Sequence, residues 1–372
     1  MKNRRHLSEL MPNCGFPICA GQNAPKTRFT VWGLITAALI FAGCIDDRNT
    51  ASVDPRTNQG IPVAPRGFQP LPYPAGNPPT ADKIELGRRL FFDPRLSRDA
   101  SISCATCHKP EGSFADPGKP FTFGIDGHLT ARNSPTLANV AYNGSFFLDG
   151  RAPTLEAQAL MPLLNPLEMD MDTLKLPNRL AEVTVYRELF PKAWGDDTIS
   201  VGRILASIAS FERAMLSGGS PYDHYLAGDS GEMGAAAKRG KDLFGGKAGC
   251  FRCHAGINFT DQDFHNPGLD SFNYDRGRIE ITGQPPDLGK FKTPSLRNIV
   301  LTPPYMHDGR FTTLQEVLAH YNAGADGIPN RDPLLIPLGL DESEISDLIL
   351  FLKSLTDSAF AANPDFRDPW TP

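Results

Sequence analysis

The apolar positions of this 372-residue chain fall into one continuous run and several helical stripes. The run, Phe29 to Gly43, is 15 residues long, short of the ~20 that a membrane-spanning helix needs. Lys26 and Arg28 precede it and Ala42-Gly43-Cys44 end it, the basic, apolar, small order of an export signal. Downstream, Ile84, Leu86, Leu90 and Phe91 predict a short amphipathic helix, and Ala235 to Phe244 predict another. Near the C-terminus Asp341 reads as an N-cap, with Ile345, Leu348, Ile349, Leu352 and Leu355 following at helical spacing. Residues 45–80 carry no such stripe. Eight prolines fall between Pro55 and Pro79. Such a stretch favours extended polyproline geometry, and at ~3.1 Å per residue it predicts a tether reaching roughly 100 Å from Cys44.

Composition narrows the class. The chain is 40% hydrophobic and 21% charged, which excludes a wholly disordered or fibrous protein. Its net charge is −5, and without residues 1–44 it holds 32 basic against 41 acidic side chains. An acidic body argues against nucleic acid as the main partner. Seven cysteines are an odd number and too few for a disulfide scaffold. Cys14 and Cys19 lie in the leader and need no role there; the leader's basic part is long, and Met11 is a second candidate start. Cys44, directly after Ala-Gly, resembles the lipidated cysteine of a bacterial lipoprotein signal, with Phe41 where Leu is usual; an ordinary export signal is the alternative.

Four cysteines are spaced for chemistry. Cys104-Ala105-Thr106-Cys107-His108 and Cys250-Phe251-Arg252-Cys253-His254 are both C-x-x-C-H. Two thiols at that spacing can form thioethers to the two vinyl groups of one haem, and the adjacent His can then reach the iron. A redox dithiol has no use for the His. A zinc ribbon more often holds its pairs closer together than the 146 residues found here. Two c-type haems are therefore expected. Helix, haem motif, loop and closing helix is the cytochrome c plan, so the expected fold is all-α.

Segments after the two motifs match at a constant offset of 159. Pro135, Leu137 and Asn139 correspond to Pro294, Leu296 and Asn298, Asp149-Gly150-Arg151 to Asp308-Gly309-Arg310, and Leu155 to Leu314. Two related modules follow. Carried seven residues further, the offset pairs Pro162 with Tyr321. A second axial ligand comes from a residue after such a loop. Tyr321 offers a phenol oxygen and Pro162 offers no donor, so one haem is expected closed and the other open. Met306, His307 and His320 are the competing ligands for the closed one.

These residues resemble the bacterial di-haem cytochrome c peroxidase and MauG family. The resemblance runs from about Thr80 to Leu355 and rests on both C-x-x-C-H sites, Arg132-Asn133-Ser134-Pro135-Thr136, Asp149-Gly150-Arg151-Ala152, Leu164-Asn165-Pro166-Leu167-Glu168-Met169 and Pro304-Tyr305-Met306-His307-Asp308-Gly309. Beyond the export signal over 1–44 and the Pro-rich tether over 45–80, which the residues themselves suggest, it implies a first cytochrome c module over 81–230 that meets peroxide and a second over 231–372. Glu168 matches the family's distal carboxylate and Gln158 a neighbouring glutamine. Asn133, Thr302 and Pro304 match residues around a calcium ion, and His307 matches a histidine near the second haem. Position 321 is Met in typical peroxidases but Tyr in MauG, so Tyr321 places the chain on the MauG-like or MbnH-like side. His128 is the nearest candidate for the first-module histidine that closes the resting haem in many peroxidases, and it reads better as a surface residue. Two departures stand out. Leu148 stands where the family usually has Trp between the haems, and Ala248 where MauG has the Trp that draws electrons from its protein substrate.

The function implied is reduction of hydrogen peroxide at the open first haem with electrons from a small cytochrome or copper protein. The alternative is a MauG-like enzyme that oxidises residues of a partner protein through a bis-ferryl state. A non-enzymatic di-haem electron carrier fits less well, because it gains nothing from an open iron beside Glu168. Export implies the periplasm, with a lipid anchor at Cys44.

Overall fold

The computed structural model describes residues 60–371 apart from 272, 273 and 326. The export signal, Cys44 and the first part of the Pro-rich stretch lie outside the described residues. Two helix pairs build the frame. In the first, Ala81–Phe91 packs on Val201–Arg213; in the second, Ala235–Gly245 packs on Glu342–Lys353. The apolar spacing explains each pairing. Leu86, Leu90 and Phe91 are fully buried against one core, and Leu348, Phe351 and Leu352 close a separate second core.

Both pairs use the same device for close approach. A Cβ built on Gly87 would lie 1.9 Å from the Ser207 carbonyl oxygen, and one on Gly240 would lie 1.9 Å from that of Asp347. Only glycine lets the helix axes come so near. The ends are capped by local chemistry. Thr80 accepts from the Lys83 amide at 3.1 Å. Asp341 accepts from the Glu344 amide at 2.9 Å, and Glu344 accepts the Asp341 amide in return at 3.0 Å, a capping box where the sequence predicts a helix start.

The repeat is visible residue by residue. Asn139 and Asn298 both sit in the left-handed region, at φ 58° and 60°, at the head of matching short turns. Phe146 bridges Ala152 and Tyr305 bridges Phe311. Each bridge leads into a helix capped by threonine, Leu155–Leu164 after Thr154 and Leu314–Ala323 after Thr313.

Two expectations need correction. The helices carry both modules, but the chain is not all-α: Phe264–His265 and Phe291–Lys292 form an antiparallel ribbon. The Lys292 amide donates to the Leu148 carbonyl at 2.7 Å, so this ribbon joins the second module to the first. The tether does not hold over residues 60–80. Asn77 is 5% exposed, and its amide donates to Glu156 Oε1 (3.2 Å), the Ala206 carbonyl (2.8 Å) and Ser210 Oγ (3.2 Å). The Phe68 ring lies 5.5 Å from that of Tyr142 and under the Arg297 guanidinium at 4.7 Å. Proline fixes an extended backbone here, and that backbone is laid along the two modules instead of running free.

Candidate functional site

The two C-x-x-C-H loops are prepared alike. Cys104–Cys107 forms one helical turn and Cys250–Arg252 a tighter one. His108 Nδ1 is 2.7 Å from the Phe114 carbonyl oxygen, and His254 Nδ1 is 3.0 Å from that of Phe259. Each phenylalanine adopts a left-handed backbone, φ 59° and 52°, a strained state for an aromatic residue. Strain repeated at the same place in both modules indicates a shared task. That task is to fix the imidazole tautomer, since a carbonyl accepting from Nδ1–H leaves the Nε2 lone pair for a metal. Burial also pushes both imidazoles down, toward the neutral ligand form.

The cysteines suit thioether formation and not redox exchange. All four are unpaired. Burial pushes the Cys107 thiol up to about 12 and the Cys250 thiol up to about 11, with Cys104 higher still. A redox dithiol needs a lowered value to expose thiolate. The residues present thus fit a c-type haem at each motif; once attached, these sulfurs are thioethers and no longer titrate.

A cavity of about 790 Å³ opens on the first motif. Cys104, Cys107 and His108 line it together with Gln158, Pro162 and Glu168, so the structure gathers the first-module candidates at one place. Gln158 and Pro162 are four apart on the Leu155–Leu164 helix and share a face. Glu168 follows in a turn knitted by Asn165, whose Oδ1 accepts from the Leu167 amide (3.0 Å) and whose Nδ2 donates to Glu168 Oε1 (2.8 Å). The Ile125 amide pins the Glu168 carbonyl at 2.7 Å. Burial pushes the Glu168 carboxyl up, against the Asn165 amide and the Arg151 charge. His128 is exposed and does not line the cavity. Leu148 does line it.

The second motif has a different neighbour. Tyr321 lies seven residues into the Leu314–Ala323 helix, as Pro162 does in Leu155–Leu164. Burial pushes its phenol up, and the Cys253 and Cys250 sulfurs beside it add to the effect. Two competitors are drawn elsewhere. His320 Nε2 is engaged by the Pro267 carbonyl at 2.8 Å. His307 stacks on Phe291 at 4.0 Å and lines the first cavity. Ala248 is buried in the second core. Asn133 donates its backbone amide to the His307 carbonyl (2.8 Å) and its side chain to the Lys119 carbonyl (3.0 Å), while the Thr302 hydroxyl donates to Ile299 (3.1 Å). Around Asn133, Thr302 and Pro304 these contacts give a calcium ion no support.

Two features escape a reading of the sequence. Arg132 donates to Asp149 Oδ2 (2.5 Å) and grips Asp275 at 2.6 and 2.8 Å, tying the modules at the cavity wall. Glu212 lines the same cavity from the Val201–Arg213 helix. Its signal was present: it stands one turn past Ile208, on a stripe that is otherwise apolar.

Comparison with known proteins agrees with this geometry. The family model described as di-haem cytochrome c peroxidase matches residues 81–231, and that of cytochrome c matches residues 237–356. Methylamine utilization protein MauG of Methylorubrum extorquens is 42% identical over 77% of this chain and 81% of its own. Cytochrome-c peroxidase IdrP1 of Denitromonas iodatirespirans is 38% identical over 79% and 86%. The crystal structure of a MauG-like protein associated with microbial copper homeostasis superposes with a TM-score of 0.79 at 36% identity, covering 82% of this chain and 98% of that one. The chain belongs to the di-haem cytochrome c peroxidase and MauG family, and is an oxidoreductase of the peroxidase type.

Proposed function

We propose that this member of the family reduces hydrogen peroxide at its first haem, with electrons reaching that haem through the second. One observation carries the reading: matched helices offer Pro162, with no donor atom, in the module whose cavity holds Glu168, and Tyr321 in the other. Two c-type haems, held by Cys104, Cys107 and His108 and by Cys250, Cys253 and His254, supply the redox chemistry when bound. Glu168 would take the proton from one oxygen of peroxide and return it to the other; the O–O bond breaks, that oxygen leaves as water, and two electrons from the donor with two further protons reduce the remaining oxygen to a second water. Gln158, on the same cavity wall, orients the peroxide for this transfer. The Asn165 amide and Arg151 favour the carboxylate form of Glu168 that can accept the proton. Tyr321 would supply an oxygen donor for the second haem, where an anionic ligand favours higher oxidation states.

Tyr321 also favours a second reading, in which the electrons come from residues of a partner protein, as the likeness to MauG suggests. The two readings differ only in the electron source. Leu148 and Ala248 cannot be oxidised as tryptophan can, so a partner would be reached by a route other than MauG's. The export signal is the ground for placing the enzyme in the periplasm, with an acyl anchor at Cys44.

Electron paramagnetic resonance of the ferric protein tests the asymmetry: one high-spin five-coordinate haem and one with an oxygen ligand are expected, and two six-coordinate low-spin haems would refute it. Steady-state turnover with reduced cytochrome c then separates the sources. Rapid turnover supports the small donor, and slow turnover with oxidation of a partner supports the other.

A further inference from the structure

Glu212 has no part in the mechanism above, yet it lines the cavity. Its side chain is 4% exposed, and Oε2 has no hydrogen-bond partner. It stands close enough to Cys104 to push that thiol up. The charged groups around it are engaged elsewhere. Arg213, its neighbour, forks onto Glu156 at 2.8 and 3.0 Å, and Lys83 of the facing helix donates to the Pro78 carbonyl at 3.0 Å. Burial pushes the Glu212 carboxyl up to about 8; the Arg213 charge beside it opposes that rise and the Glu156 charge adds to it. A lone buried carboxylate is costly unless a proton or a nearby positive charge compensates it.

The cavity holds the first haem on the reading above, and this inference rests on that reading. We propose that Glu212 is a redox-linked proton site of the first haem. When that haem gains one electron from a one-electron donor, the Glu212 carboxylate takes up one proton, so the pocket's net charge is unchanged. When the haem is oxidised, the O–H bond of Glu212 breaks and the proton leaves. The low-dielectric interior makes the two events interdependent, because neither charge is screened by water. Glu212 acts through charge balance at the haem edge by Cys104; it is a second acid in the pocket, separate from the peroxide chemistry of Glu168.

The test is a redox titration of the protein with both haems attached, between pH 6 and 10, reading the potential of the first haem. In the wild type the potential falls as pH rises, approaching about 59 mV for each tenfold drop in proton concentration. Glu212→Gln loses this slope. A slope retained in Glu212→Gln overturns the proposal. If Glu212→Gln fails to mature, infrared redox-difference spectra of a Glu168→Gln background carrying isotope-labelled glutamate decide the matter. A protonated-carboxyl band gained on reduction supports Glu212, and no such band refutes it. Haem content measured as the pyridine haemochrome keeps the two failures apart: protein without haem fails the underlying reading, whereas two haems with a pH-independent first potential fail this inference alone.

Discussion

The Leu155–Leu164 and Leu314–Ala323 helices are the same element used twice, with opposite results. Each follows a bridged loop whose glycine, Gly150 or Gly309, has a left-handed φ of 73° or 66°. Each begins at a threonine cap and brings its eighth residue to the equivalent place. In one helix that residue is Pro162, in the other Tyr321. A duplicated scaffold thus acquires two unlike sites through one side chain, while the His–carbonyl bonds that prepare the motifs remain alike. The side chain at this position and the architecture of the module are separable in this chain.

Substitutions can break or sharpen that contrast. The largest effect falls on the first module: Glu168→Gln should slow peroxide-driven haem oxidation by about 10²–10⁴-fold in stopped-flow traces, with haem content unchanged. The wild-type rate should fall as pH drops through the Glu168 pKa, which burial places above the ordinary 4.5, because the accepting carboxylate is then protonated; Glu168→Gln should show no such limb. The second module should depend most on Arg297, which is fully buried and grips Asp223 at 2.8 and 2.9 Å. Arg297→Leu should lower stability by roughly 3–5 kcal/mol in denaturant titrations. In the wild type the Asp223 carboxyl is held low, so its share of stability is present above the ordinary carboxylate pKa and vanishes as pH falls through the depressed one.

Smaller effects test how equal the frames are. Gly87→Ala and Gly240→Ala meet a carbonyl at the same 1.9 Å, and each should lower stability by about 1–3 kcal/mol. Unequal losses by calorimetry would mean that the two helix pairs differ in their freedom to separate. Least of all, Thr313→Ala should cost about 1 kcal/mol and Thr154→Ala less, because Thr313 belongs to a capping box with Glu316 whereas Thr154 accepts only from the Ala157 amide.

Much of this was legible in the chain. Ile84 to Phe91 and Ile345 to Leu355 announce their helices because one face of each is buried, and burial imposes a period. The motifs and the offset of 159 announce two modules because covalent attachment fixes spacing. The rest depended on contacts far apart in sequence. Nothing near Asn77 signals that it will be buried against residues more than a hundred positions away, so the prolines suggested a free spacer. The ribbon at Phe264 and Phe291 is too short to leave an alternating pattern. For Glu212, only its place in the helical period, one turn past Ile208, distinguishes it in sequence from a surface charge.

The cavity wall has a final consequence. Asp270, Tyr274 and His307 of the second module help to line a pocket built on the first motif, and Arg132 fastens the seam. Neither half is therefore a self-sufficient unit. Cutting the gene between them would strip one flank from the cavity and open it to solvent, so the cavity exists only while both modules stay on one chain.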